Sequence, residues 1–389
     1  MRICHVSPHL PPDQAANAIL PAQLGAWARA RGDDVTFVAM APSQGREGDD
    51  HALAGPVARV TARRSESTAV RFLRIDTWTR TRAVTDALAR MAADADLLHL
   101  HSNGLIIEVA AAWAARRGVP YVLTLYGTEI WHYRRRRPID PFRRAYFGAA
   151  AVTFYSQGLL DRARERGLER AGLETIYPAV NPAFAPADAD ARAKARASLG
   201  IGEPLVVLNV KRLHELAGQR FLIEAFARIA RRRADVRLVI CGTGPLKDAL
   251  VDQAHREGVA DRVTFTGLVG NDRVAAYAAV ADVFALPSLL EALPTVAVEA
   301  LAAGTPVVSA DHPGGVELHG LFGDDVRVVP RENVDALERE IDAALASSRR
   351  VAPATRRLVD ERFSPAAIEA AYNAVYARIG RDRGHSRHS

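Results

Sequence analysis

Two acids, Glu291 and Glu299, stand eight residues apart in a run that begins Pro287-Ser288-Leu289-Leu290 and ends Ala303-Gly304-Thr305-Pro306. An apolar strand over 283–286 enters the Pro-Ser turn. A short helix then carries Glu299 about one turn from its start and stops at Gly304, ahead of a second apolar strand over 306–309. The acids therefore fall at the carboxyl end of a strand and the amino end of a helix. Open α/β sheets bind ligands at such strand ends, and a helix amino terminus favours anionic phosphate. The competing reading is a solvated amphipathic helix with two surface acids; the Pro-Ser entry, the Glu-x-x-Pro turn and the Ala-Ala-Gly-Thr-Pro exit around it argue against that.

The elements that must position these acids repeat along the chain. Strand-like runs at 2–6, 34–39, 97–101, 121–125 and 151–155 are separated by helical patterns such as 20–31 and 85–93, and the second half repeats the plan with strands at 205–210, 236–241, 263–266, 283–286, 306–309 and 326–329. Such alternation argues for parallel, doubly wound sheets. At 389 residues the chain is too long for one typical core. A proline-rich stretch at 177–186 and a polar, alanine-rich helix at 187–199 read as the connection. The expected organisation is an N-terminal domain over 1–180, a linker over 181–200, a C-terminal domain over 201–363, a final helix over 364–380 and a disordered tail over 381–389.

Composition excludes little more. Hydrophobic residues make up 49% and charged residues 25%, ordinary values for a globular protein. Net charge is +6, spread over helices as arginine, which weakly favours an anionic substrate or surface. Cys4 and Cys241 each lie inside an apolar strand and read as small core residues. No apolar stretch reaches the roughly 18 residues that span a bilayer, and the expected location is cytoplasmic, peripheral to the inner membrane surface at most.

The run around the two acids resembles the Glu-x7-Glu signature of retaining nucleotide-sugar glycosyltransferases of family 4. That resemblance implies the GT-B fold: two Rossmann-like domains, an N-terminal acceptor domain and a C-terminal nucleotide-sugar domain, with the last helix returning to the first. In the family roles, Glu299 would accept hydrogen bonds from ribose hydroxyls and Glu291 would hold a hydroxyl of the donor sugar. The backbone of Ala292, Leu293, Thr295 and Val296 would face sugar and diphosphate. Arg212, in Lys211-Arg212-Leu213, resembles the diphosphate arginine, a job suited to an always-charged planar fork. Gly242, in a Gly-x-Gly-Pro turn, and Leu268, after Phe265-Thr266-Gly267, match scaffold segments beside the nucleotide.

The chain also departs from the family pattern. Ala217 stands where a lysine is usual and Lys211 where a glycine precedes the arginine, so Lys211 is a candidate to supply the missing cation. Tyr126 stands where many relatives carry a histidine that contacts the donor sugar. A phenol still donates a hydrogen bond but carries no positive charge, and packing is an equal alternative for it. Ala15 and Ala16 replace a glycine pair in the first loop. His101, at a strand end, is a candidate on the acceptor side.

Other patterns carry less. Asp94 with Asp96, and Asp188 with Asp190, fit an Asp-x-Asp pattern used for metal by another fold, but their positions argue against it, and no zinc spacing occurs among the histidines; no metal and no cofactor beyond the donor are expected. Trp131, His132, Tyr133 and the arginines Arg134, Arg135, Arg136 and Arg137 form a cationic aromatic patch suited to lipid head groups or an anionic acceptor, or simply to solvent. No nucleic-acid module accompanies it. The expected activity is a retaining, metal-independent transfer of a sugar from a nucleotide diphosphate, with UDP-sugar first, to a hydroxyl of a glycan, lipid or small metabolite. The alternative is a non-catalytic protein of the same fold that binds nucleotide or glycan.

Overall fold

The structure, a computed structural model, describes residues 1–13, 16–42, 50, 53–61, 75–136, 138–202 and 205–386. The chain divides into two compact units, one of Met1–Tyr177 with Glu369–Ser389, the other of Pro178–Ile368.

In the first unit seven strands form one parallel sheet: β1 (Arg2–Ser7), β2 (Asp34–Met40), β3 (Val57–Val60), β4 (Leu97–His101), β5 (Tyr121–Leu125), β6 (Ala151–Phe154) and β7 (Leu173–Thr175). Their order is β3-β2-β1-β4-β5-β6-β7, so the winding direction reverses between β1 and β4. The central strands are buried along their whole length, as expected of parallel strands covered on both faces. Helices are started by local chemistry: Asp140 and Ser156 each accept a backbone N–H three residues on. Gly118 closes helix Leu105–Arg117 in the left-handed conformation that glycine adopts readily.

The second unit repeats the design with six parallel strands, β8 (Leu205–Val210), β9 (Val236–Cys241), β10 (Val263–Gly267), β11 (Val283–Leu286), β12 (Val307–Ala310) and β13 (Val326–Val329). Their order is β10-β9-β8-β11-β12-β13, and here the reversal falls between β8 and β11. Cys4 in β1 and Cys241 in β9 are buried free thiols. Burial pushes the Cys4 thiol up to about 12, which keeps it unreactive.

Several sequence expectations need correction. Residues 181–200 are not a free linker, because helix Ala189–Leu199 is clasped to the second unit. Asp282, 8% exposed, accepts from Arg192 at 2.6 Å, from Arg196 at 2.8 Å and from the Val206 amide at 2.7 Å. The helix read over 85–93 runs from Ile75 to Met91; its first turns are threonines and arginines, with Trp78 exposed, so they carry no apolar period. Strands β3 and β7 went unread because edge strands of four and three residues leave little alternation. The tail read as disordered from 381 is helical to Ser386, continuing helix Pro365–Ser386 whose Tyr372, Val375, Tyr376 and Ile379 are buried. Residues 387–389 lie outside the described residues, as does Ala15, whereas Ala16 opens helix Ala16–Ala30.

Candidate functional site

In the second unit, charge collects where β8 and β11 end side by side. Lys211 and Arg212 follow β8, and Glu291 lies in the loop after β11. The Lys211 ammonium meets a Glu291 carboxylate oxygen at 2.5 Å, and both side chains are mostly covered. Arg212 is exposed and makes no ion pair among the described residues. Its carbonyl accepts from the Gln219 amide at 3.3 Å, so its backbone is anchored while its side chain stays free to meet a ligand.

Helix Thr295–Ala302 starts beyond Pro294, and Glu299 is its fifth residue. Burial pushes the Glu299 carboxyl up to about 7, and no side-chain hydrogen bond to it occurs among the described residues. A carboxylate held this way gains from hydroxyl donors, which would satisfy its lone pairs. Ala292 and Leu293 lie in the loop between the acids and Thr295 and Val296 in the first turn of the helix, all partly exposed.

Backbone contacts lock the loops of this rim together. Leu213 N–H donates to the Thr243 carbonyl at 2.9 Å, and Leu289 N–H donates to the Leu216 carbonyl at 2.8 Å. A Cβ on Gly242 would stand 2.1 Å from the Lys211 carbonyl, and one on Gly244 at 2.1 Å from that of Leu213. Gly242 therefore has a reason to be glycine before any ligand is considered. Leu268 is 71% exposed just past β10, an edge strand two places from β8, or about 10 Å along the rim at ordinary strand spacing. Ala217 is fully buried.

Three further residues of this rim escaped sequence reasoning. His312 follows β12 and caps helix Pro313–Phe322, its Nδ1 accepting from Gly315 N–H at 2.9 Å. Burial, reinforced by the cations Lys211 and Arg331, drives it down to about 4, so it stays neutral. Arg331 pairs with Asp311 at 2.9 Å and reaches the Leu289 carbonyl. His214 is lowered by burial and by Lys211. The only available signal was the placement of each after a strand, which needs the strand order to interpret.

The first unit presents a different chemistry at its own reversal point. His5 in β1 is in register with His99 in β4, and His101 lies two residues on, so all three face the same way. His99 bonds the Tyr376 hydroxyl at 2.6 Å and the Thr124 hydroxyl at 2.7 Å. His101 bonds the Tyr126 hydroxyl at 2.7 Å and His5 at 3.1 Å. His101 is 0% exposed with both nitrogens engaged, so it does not itself meet an acceptor, which corrects the expectation. Tyr126 is half-buried beyond β5, and burial holds its phenol well above the usual range. The three imidazoles bring one ligand atom each within 4.8 Å. However, His99 and His101 are stacked at 4.1 Å, which sets their in-plane lone pairs side by side instead of converging on one ion.

Some of the remaining candidates have structural partners. Asp96 accepts from the Arg2 backbone and guanidinium, and Asp188 caps helix Ala189–Leu199. In the cationic patch Arg134, Arg135 and Arg136 are exposed, Tyr133 is buried with its hydroxyl on Asp140 at 2.8 Å, and Arg137 lies outside the described residues. No helix among the described residues is long and apolar enough to cross a membrane.

Residues 191–361 match the profile of glycosyl transferases group 1, and residues 22–184 match that of Glycosyltransferase Family 4. A GDP-mannose-dependent alpha-(1-6)-phosphatidylinositol monomannoside mannosyltransferase of Mycolicibacterium smegmatis is 38% identical over 218 residues, covering 54% of this chain and 56% of the relative. The match thus spans little more than half the length of that relative. An alpha-D-kanosaminyltransferase of Streptomyces kanamyceticus is 30% identical over 306 residues, 73% of this chain and 77% of the relative. Among solved structures, HepE of Anabaena in complex with UDP superposes with a TM-score of 0.76 at 20% identity, covering 97% of this chain and all of that one (100%). With two parallel α/β units, matches to both family profiles and a relative aligned over most of its length, the chain belongs to glycosyltransferase family 4 and has the GT-B fold.

Proposed function

We propose that the protein transfers a sugar from a nucleotide diphosphate sugar to an acceptor hydroxyl, with retention at the anomeric carbon and without a metal ion. The bond from the anomeric carbon to the diphosphate oxygen breaks, the acceptor oxygen bonds to that carbon, and the acceptor proton leaves with the diphosphate. One observation carries the reading: Lys211, Arg212, Glu291 and Glu299 are gathered around the carboxyl ends of β8 and β11, where the winding of the sheet reverses. Arg212 and Lys211 supply positive charge where the diphosphate departs, usually the largest contribution to such a step. Glu291 and Glu299 accept from the hydroxyls of sugar and ribose.

For the donor we propose GDP-mannose in place of the UDP-sugar expected from sequence. Two mycobacterial relatives, 38% and 36% identical, are named for that donor. The acceptor remains a hydroxyl of a glycan, lipid or small metabolite.

The test is a thermal-shift series with GDP and UDP, then turnover of GDP-mannose in EDTA with the anomer of the product read by NMR. A ligand bound only by the folded state raises its stability. Stabilisation by UDP and not GDP would restore the UDP-sugar donor. Loss of turnover in EDTA would remove the metal-independent part, and an inverted anomer the retaining part. Stabilisation with no turnover for any donor and acceptor would favour the non-catalytic alternative.

A further inference from the structure

A chain of buried polar rings crosses the first sheet and ends on an atom with no partner. The Tyr126 hydroxyl lies 2.7 Å from His101 Nδ1, and His101 Nε2 lies 3.1 Å from His5 Nδ1. His5 Nε2 is buried and has no hydrogen-bond partner among the described residues. The His5 ring is packed against Phe37 at 5.5 Å and against His99 and His101 at 5.4 Å each. Burial holds all three imidazoles neutral, His5 down to about 3 and the others well below their usual range.

A neutral imidazole has one N–H and one bare nitrogen, so the chain has two self-consistent directions. In the first, Tyr126 donates to His101, His101 donates through Nε2 to His5, and a buried N–H at His5 Nε2 is left with nothing to meet. In the second, His5 Nδ1–H donates to His101 Nε2, His101 Nδ1–H donates to the Tyr126 oxygen, and only a bare lone pair is stranded at His5. Buried donors are left unpaired more rarely than buried acceptors. The second direction also moves the spare donor to Tyr126, which is partly exposed just beyond the end of β5.

We infer that His5 and His101 are positioning residues that fix the Tyr126 hydroxyl as a hydrogen-bond donor to a ligand oxygen at the rim of the first sheet. The geometry stands alone, and the identity of the ligand as a sugar or phosphate oxygen rests on the glycosyl-transfer reading. A group that only donates, such as an ammonium, would leave the Tyr126 hydrogen without an acceptor. His99 stays outside the chain, because its two nitrogens are taken by Tyr376 and Thr124.

The test uses the full chain labelled with 15N-histidine, its imidazole signals assigned by single substitutions. His5 and His101 are expected in the Nδ1–H tautomer, and Nε2–H at either would overturn the inference. In turnover, Tyr126→Phe and His101→Leu should each lower kcat/KM about tenfold, and the double variant should lose no more than either. His101→Asn, whose amide can stand in for Nδ1–H, should recover most of the loss. Equal losses for the Asn and Leu variants, or an unchanged Tyr126→Phe, would overturn the positioning role. Should no donor be turned over at all, the enzyme reading fails and the tautomers of the unsubstituted protein decide the inference by themselves.

Discussion

The two units use one plan of winding and opposite electrostatics. At its reversal point the second unit gathers Lys211, Arg212, Glu291 and Arg331, charges suited to a diphosphate and the hydroxyls beside it. At the corresponding point the first unit holds neutral imidazoles, phenols and threonines, with His5, His99, His101 and Thr124 almost fully buried. Charge at a sheet rim recognises charge, whereas a neutral buried network recognises geometry, because it offers directed donors and acceptors with no long-range pull.

Acid should separate the two units most. Histidines with depressed pKa bind fewer protons folded than unfolded, so stability is present above the unfolded value and lost as pH falls from about 6.5 towards about 3. His5, His99 and His101 all contribute with this sign in the first unit. In the second unit His312 has the same sign, but Glu299, raised from 4.5 to about 7, has the opposite one. Its contribution is full below about 4.5 and fades as pH rises through about 7. Hydrogen exchange at pH 5 and pH 7 should therefore show the first unit opening first in acid. Earlier opening of the second unit would break the contrast.

Smaller effects sharpen it. Glu291→Ala should lower turnover about a hundredfold, or ~2.7 kcal/mol, since it would remove the proposed ligand contact and leave Lys211 without its ion-pair partner. Arg212→Ala should lower turnover at least tenfold, or ~1.4 kcal/mol. Unchanged turnover at saturating donor for either variant would separate the charged rim from the chemistry. The smallest effect is expected at Arg134, Arg135 and Arg136. Neutralising them should weaken association with anionic liposomes or acceptor by well under a kcal/mol per residue, and more so at low salt. Association equal at low and high salt would remove that surface from the account.

What the sequence revealed follows the same division. Lys211, Arg212, Glu291 and Glu299 could be picked out because they lie in two unbroken runs, 205–214 and 283–308, each a strand followed at once by its loop, whereas His312 and Arg331 follow other strands and could not. The alternation of strands and helices likewise marked both sheets. The neutral network was not legible. His5 and His101 are 96 residues apart, and His99 and Tyr376 are 277 apart, so they meet only once β1 lies beside β4 and the last helix packs on the first sheet. His101 could be picked out, but whether it faced a ligand or stood behind Tyr126 depended on burial. Helix Ala189–Leu199 was legible as a helix but its hold on the second unit was not, since its composition is polar and alanine-rich while two arginines on it hold a nearly buried aspartate.

The glycines of the second unit have a consequence for how this rim could change. Gly218, Gly242, Gly244 and Gly315 each face a backbone carbonyl at 2.1–2.3 Å from where a Cβ would sit, so substitution there would force the loops apart. Lys211, His214 and Glu291 project from the same loops without that constraint. The rim thus behaves as a rigid socket whose shape is set by backbone contacts, so its outline resists change more than the side chains that project from it.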